Sequence, residues 1–514
     1  MNGADALIET LIDNDVVACF ANPGTSEMQF VSALDRQPKM RPVLCLFEGV
    51  ATGAADGYGR IAGKPACTLL HLGPGYGNGL ANLHNARRAF TPIVNVIGDH
   101  ATYHRQYDAP LASDIAAIAG ANSVWVKSAE SADGVSALAA EAITASYGPP
   151  GGSASLILPA DCAWTATNAA GAKASRPAKA PVAGDAVDAA ARRLEAAKKP
   201  VILLGTGVCH EAGLRAAGRL AAAGVRVLSD GFIGRLPRGA GRFSPDRMMY
   251  FAEMALNDLA GVDLMVLVET RTPVAFFAYP GKPSVLAPEG CEPWPLAAPG
   301  EDGAAALEAL ADALGAPKAG AAQPLSLPNA APSGPLTPAS IGQSVARYLP
   351  EGAIVSDDSV TSGQSIVNAT RTGRPHDWLG LTGGAIGQGI PVAVGAAVAA
   401  PDRKVVSLNG DGAAMYTVQG LWTLAREGLD VTVVIFANHV YRILGVELGR
   451  TGAGEAGPAA SKLLGLGDPA IDWVSLAKGM GVPGSRCRTA EEFDDAFARA
   501  MASRGPKLIE ACIP

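Results

Sequence analysis

The chain has 514 residues, a net charge of −7, and 48% hydrophobic against 17% charged residues. That length predicts about three domains, each large enough for its own core, and the composition excludes a disordered chain or a coiled coil. No cluster of Lys and Arg follows one helix or loop, so no nucleic-acid or anionic-membrane partner is expected.

In chain order, Met1–Asp15 reads as an acidic amphipathic helix and not as a signal peptide. Short β-branched runs then alternate with longer helical patterns. A first block predicts strands at 18–20, 45–47, 66–72, 92–98 and 154–159. A second has them within 200–207, 225–229 and 263–269, and a third within 352–358, 404–412, 431–438 and 506–514. Two stretches rich in Ala, Pro and Gly, Thr165–Gly184 and Ala316–Pro335, read as linkers. The expected fold is α/β, with three doubly wound domains at 1–165, 185–315 and 336–514 and mainly parallel sheets. No stretch of about 18 uninterrupted apolar residues occurs, so no transmembrane helix is predicted. The eight Cys form no CxxC pair, which argues against zinc. They read as buried free thiols of a reducing compartment, and a cytoplasmic protein is expected.

In such folds ligands bind beyond the carboxyl ends of strands, so the strand-to-helix junctions carry the candidate chemistry. Asn22-Pro23-Gly24-Thr25-Ser26-Glu27 follows the first strand. Glu48 follows the apolar Val43–Phe47 and opens a helix; taken alone it reads as an acid favourable to the helix macrodipole. His71 closes another strand, with Asn78 in the same loop. Gly205-x-Gly207 is a weak dinucleotide signal. Asp358-Ser359-Val360-Thr361 could contact phosphate or cap a turn, and Thr382–Pro391 is a Gly-rich turn leading into a helix.

The most informative run is Lys404–Leu444. A strand at Lys404–Leu408 ends in Asn409-Gly410-Asp411-Gly412-Ala413, a crossover helix follows, and the next strand ends at Asn438. A right-handed βαβ unit places both strand ends on one sheet edge. Mg²⁺ wants oxygen ligands, few from protein and the rest from phosphate and water. Asp411 offers a carboxylate and Asn438 an amide oxygen, while Gly410 and Gly412 let backbone N–H groups approach phosphate. Without Asn438, the Gly-Asp-Gly would read as a capped turn.

GDG followed at this spacing by Asn resembles the thiamine-diphosphate (ThDP) motif of the 2-oxo acid decarboxylase and acetolactate synthase superfamily, most closely its benzoylformate decarboxylase branch. The resemblance implies Mg²⁺ ligation by Asp411, Asn438 and the Val440 carbonyl, with Gly412, Ala413 and Tyr441 at the diphosphate. The family usually has Asn-Asn where this chain has Ala437-Asn438. Glu48, followed by matching Ala54, Gly57, Tyr58 and Arg60, would be the acid that hydrogen-bonds N1′ of the aminopyrimidine. Ile386 would support the bent cofactor, and the Gly384 carbonyl would receive its 4′-amino group. Thr361 and Asn78 are further cofactor candidates. Thr25 takes the place of a substrate-contacting Ser, and His71 that of a proton-relaying His.

The branch's second His falls at about Ala278, which puts benzoylformate decarboxylase activity itself in doubt. His100, His104 and Glu447 are open candidates for substrate contact, and Phe276, Phe277 and Tyr279 suggest a bulky or apolar acyl group. The implied function is a ThDP- and Mg²⁺-dependent lyase or carboligase acting on a 2-oxo acid, acetolactate synthase-like or benzoylformate decarboxylase-like. Subunits would share ThDP in a homodimer or homotetramer. Some branches also bind FAD in the middle domain, which is not expected here. The competing readings are a non-catalytic or regulatory ThDP-binding homologue and a nicotinamide oxidoreductase built on Gly205-x-Gly207.

Overall fold

The computed structural model describes residues 1–169 and 171–514. It contains three sheets. The first runs Arg41–Leu44, Ala18–Asn22, Ala66–Leu70, Ile93–Asp99, Ser153–Pro159, Ser123–Ser128, with every pairing parallel. Ile93–Asp99 and Ser153–Pro159 are buried at every position, as strands covered by helices on both faces must be. The second sheet runs Asp246–Arg247, Arg226–Ser229, Pro200–Leu204, Leu264–Val268, Glu292–Ala297, again all parallel. The third runs Gly484–Cys487, Lys507–Cys512, Val431–Ala437, Val405–Gly410, Ala353–Asp358, His376–Leu379, Leu236–Arg238. Its last strand is antiparallel and comes from the second sequence block; three residues are too few to carry a periodic signal.

Three local expectations are corrected. Cys45–Phe47 is not a strand: pairing stops at Leu44, and the chain turns so that Phe47 can precede the helix Glu48–Ala62. The crossover after Gly410 is two short helices, Asp411–Met415 and Gly420–Arg426, not one. The stretches read as linkers form no long element over 171–183 and 316–334, yet they are pinned by single bridges from Ala180 to Glu301 and from Gln323 to Ala240. Ala170, within the first, lies outside the described residues.

The first and third sheets share one apolar core. The helix Glu48–Ala62, ended by a left-handed Gly63, crosses Gly389–Ala399 so closely that a Cβ on Gly57 or Gly395 would overlap the facing backbone. Val50, Ala54, Val392, Val394 and Ala396 are all fully buried there, each Val contributing roughly 1.5–3 kcal/mol. Inside this interface lies the Asp56–Arg60 ion pair, at most 2% exposed. Arg60 Nη1 donates to the Gly380 carbonyl at 2.7 Å, which ties the first helix to the entry of the Gly-rich turn. Among the described residues no helix is long and apolar enough to cross a membrane.

Candidate active site

The parallel strands Ala353–Asp358, Val405–Gly410 and Val431–Ala437 end side by side, which brings Asp411 and Asn438 together. Asp411 Oδ1 accepts from Gly412 N at 2.8 Å and Oδ2 from His439 N at 2.7 Å, so its carboxylate locks both loop tips. Asn438 Oδ1 accepts from Val440 N at 3.1 Å. Asp411 is 3% exposed, and burial raises its pKa above the usual carboxylate range. No ion pair with Lys or Arg offsets that cost among the described residues, which suits a site completed by a cation. Among the described residues no group of three or more His, Cys, Asp or Glu gathers around a metal position, so the side chains brought together offer a carboxylate and an amide oxygen. That set fits Mg²⁺ with phosphate and water as the remaining ligands. Ala413 is buried beneath, and the Tyr441 ring lies where a Cβ on Gly412 would sit. Thr361 is exposed just past the strand end.

The Gly-rich turn is held from several sides. Asn85 Nδ2 donates to the Ala385 carbonyl at 2.7 Å, Thr417 Oγ1 to the Gly387 carbonyl at 2.7 Å, and Thr382 Oγ1 to the Asn85 carbonyl at 2.6 Å. Gly384 has φ +76° and carries the Phe276 ring where a side chain would stand, so glycine is needed twice over. Ile386 is half-buried beside it. Beneath the turn, Asp358 Oδ2 accepts from Gly387 N at 2.7 Å and Gly389 N at 3.2 Å. Burial pushes its pKa up to about 7.

A second cluster lies at the carboxyl ends of the first sheet. Glu48 is 6% exposed, and Asn78 Nδ2 donates to its Oε2 at 3.0 Å. A Cβ on Gly75 would lie 3.3 Å from Glu48 Oε1 and 3.4 Å from His71 Cβ, so the glycine lets both residues approach the same point. His71 Nδ1 faces Oε2 of the buried Glu27 at 2.8 Å. Glu27 also accepts from Gly24 N at 2.7 Å and Ser26 Oγ at 2.6 Å. Glu27 carried no role in the sequence reading; the signal was an acid five residues into a strand-end loop, visible only once His71 is folded onto it. Thr25 is exposed and makes no side-chain hydrogen bond among the described residues, whereas Ser26 Oγ lies 3.3 Å from His71 Nδ1.

The other candidates lie further out. His100 is half-buried with Nε2 unpartnered, and exposed His104 packs on it at 5.4 Å between ring centroids. Phe276 joins Phe232, Tyr250 and Phe277 in a ring cluster with centroids 4.8–5.4 Å away. Tyr279 instead donates to Glu447 Oε2 at 2.7 Å, and Ala278 is exposed. Among the described residues, no hydrogen bond joins the Glu48–His71 cluster to the Asp411–Asn438 cluster.

Residues 1–118 match the N-terminal TPP binding domain of thiamine pyrophosphate enzymes, and residues 361–511 match the C-terminal TPP binding domain. The chain is 55% identical over 523 residues to a Mycobacterium tuberculosis protein provisionally named acetolactate synthase large subunit IlvX, covering 100% of this chain and 99% of that one. It is 28% identical over 540 residues to benzoylformate decarboxylase of Pseudomonas aeruginosa, covering 98% and 97%. The solved structure of the Rhodococcus jostii thiamine diphosphate-dependent 4-hydroxybenzoylformate decarboxylase superposes with a TM-score of 0.86 at 26% identity, over 100% of this chain and 99% of that one.

Proposed function

Because this chain belongs to the thiamine pyrophosphate-dependent enzyme family, we propose that it removes CO₂ from a 2-oxo acid and passes the acyl unit to a second carbonyl, giving a 2-hydroxy ketone. ThDP, when bound, supplies the nucleophilic carbon and the electron sink. The protein residues bind, orient and move protons. Asp411, Asn438 and the Val440 carbonyl would hold Mg²⁺ and through it the diphosphate, with Gly412, Ala413, Tyr441 and Thr361 beside it. Gly384 and Ile386 would set the bend of the cofactor. Glu48, steadied by Asn78, would hold a proton at the far ring, and His71 would exchange one with substrate. Thr25 would contact the substrate.

The observation that supports this reading is that a Cβ on Gly75 would touch both Glu48 Oε1, at 3.3 Å, and His71 Cβ, at 3.4 Å. An acid for cofactor activation and a base for substrate would then flank the same glycine. A panel of 2-oxo acids with ThDP and Mg²⁺, scored together for CO₂, aldehyde and hydroxy ketone, tests it. Binding of ThDP with no CO₂ from any of them would favour the non-catalytic homologue.

Each cluster is flanked by exposed apolar side chains: Met28 and Leu46 at the first, Met415, Tyr416 and Leu444 at the second. Such patches suit burial against another copy. They support a homodimer or homotetramer in which the two half-sites would complete each other across the interface. Six of the eight free cysteines are buried, which fits a cytoplasmic setting. The domains at 1–165, 185–315 and 336–514 are assigned respectively to the pyrimidine end, a central Rossmann-like unit and the diphosphate end of ThDP.

A further inference from the structure

The central sheet has the topology of a nucleotide-binding fold. Its first strand, Pro200–Leu204, is flanked by Arg226–Ser229 on one side and Leu264–Val268 on the other. Strand order reverses between Pro200–Leu204 and Leu264–Val268, and a nucleotide would bind in the crevice beyond those two strand ends. Gly205-x-Gly207 leaves the first strand and Asp230 follows the second, the places where such folds meet a pyrophosphate and a ribose.

Both places are taken by the chain itself. Glu269, just past Leu264–Val268, has φ +52°, a backbone region disfavoured for a non-glycine residue. Its side chain is 2% exposed. Cβ atoms on Gly205 or Gly207 would overlap Glu269, and one on Gly303 would come to 2.9 Å of its Cγ. Glu269 Oε1 accepts from Gly303 N at 3.2 Å, the first residue of the helix Gly303–Ala313. Lys179 Nζ lies 2.7 Å from each Glu269 oxygen and donates to the Gly207 carbonyl at 3.2 Å. Lys179 belongs to the stretch read as a linker, which is fastened by Asp302 N to the Ala180 carbonyl at 2.8 Å. Asp230 accepts from Thr270 Oγ1 at 3.1 Å and Gly231 N at 2.6 Å.

We infer that the nucleotide crevice of the central sheet is sealed from within: the Glu269 carboxylate stands in the phosphate position, Lys179 straps the linker across it, and Thr270 occupies the ribose-binding acid. The donors that would greet a phosphate already serve a carboxylate, and an incoming phosphate meets a buried negative charge. The FAD that some branches of the family take in this domain does not fit, and neither does a nicotinamide dinucleotide. The seal gives a charged, strained residue the structural task of tying the linker to the sheet. This inference is independent of the ThDP site.

The test uses protein saturated with ThDP and Mg²⁺, so that diphosphate binding elsewhere is excluded. Titration with FAD, followed by flavin fluorescence anisotropy, and with ADP, followed by thermal shift, should show no saturable binding. Acid release from the purified protein should yield no flavin. Saturable uptake of either nucleotide by the parent, or released flavin, overturns the inference whether or not any variant folds. Glu269→Ala, leaving Lys179 and Gly303 N free, should gain saturable ADP binding at a concentration at least about tenfold below the highest at which the parent shows none. A folded Glu269→Ala protein that gains no ADP affinity would equally contradict it.

Discussion

His71 Nδ1 stands 2.8 Å from Oε2 of the buried Glu27. Glu27 is an acceptor from Gly24 N and Ser26 Oγ as well, so three groups converge on one buried carboxylate that orients the imidazole. With Nδ1 turned to Glu27, Nε2 is the ring nitrogen left for chemistry. Glu27→Gln removes that control of the imidazole. The turnover number should fall by about tenfold to a hundredfold with ThDP and Mg²⁺ affinity preserved, measured by steady-state assay beside cofactor titration. An equal loss of cofactor affinity would mean that Glu27 only holds the loop.

Glu48→Gln keeps the shape and a hydrogen bond for Asn78 but cannot exchange a proton at N1′. Exchange of the cofactor C2 proton, followed by NMR, should slow by at least about a hundredfold, with diphosphate binding largely retained. Unchanged exchange would remove Glu48 from its assigned role.

Asp358 predicts a pH signature. Burial pushes its pKa up to about 7, above the usual value of about 4. The folded state therefore keeps a proton that the unfolded state loses, and stability falls as pH rises between those values by about 1.4 kcal/mol per unit. Asp358→Asn should abolish that slope. Relative to the variant, the parent should melt at a lower temperature at about pH 8 than at about pH 5. His376, lowered to about 3 by burial, has the opposite trend in both proteins and cancels in the comparison. Parallel melting curves of parent and variant across this range would contradict the account.

Glu48→Gln and Asp411→Ala should each be inactive alone. If subunits share the site, mixed dimers carry one intact site, and a randomised equimolar mixture should regain about a quarter of parent activity. No regain after verified subunit exchange would place both half-sites in one chain.

Much of the fold was legible because parallel strands buried on both faces write themselves as continuous apolar runs such as Val431–Phe436. The ends of strands were less legible. Val43–Phe47 is apolar throughout, yet pairing stops at Leu44 because the chain must turn for Glu48 to open its helix. The spacing of Asp411 and Asn438 suggested a shared site, and register places their strand ends together. Glu27, Arg60 and Asp358 act through contacts with residues distant in sequence, Arg60 with Gly380 and Asp358 with Gly387. No local pattern announces such partners. The Glu269–Lys179 seal was hidden for the same reason: in sequence, Gly205-x-Gly207 looks open, and only the fold shows what fills it.

The most direct measurement is calorimetric titration of cofactor-free protein with ThDP in the presence of Mg²⁺, beside Asp411→Ala. The parent should take up ThDP saturably, and the affinity should weaken as pH falls toward the raised Asp411 pKa, because protons compete with the cation for that carboxylate. Asp411→Ala should lose the Mg²⁺-dependent part of the binding. A parent that shows no saturable uptake, or a variant that binds as the parent does, would contradict the account.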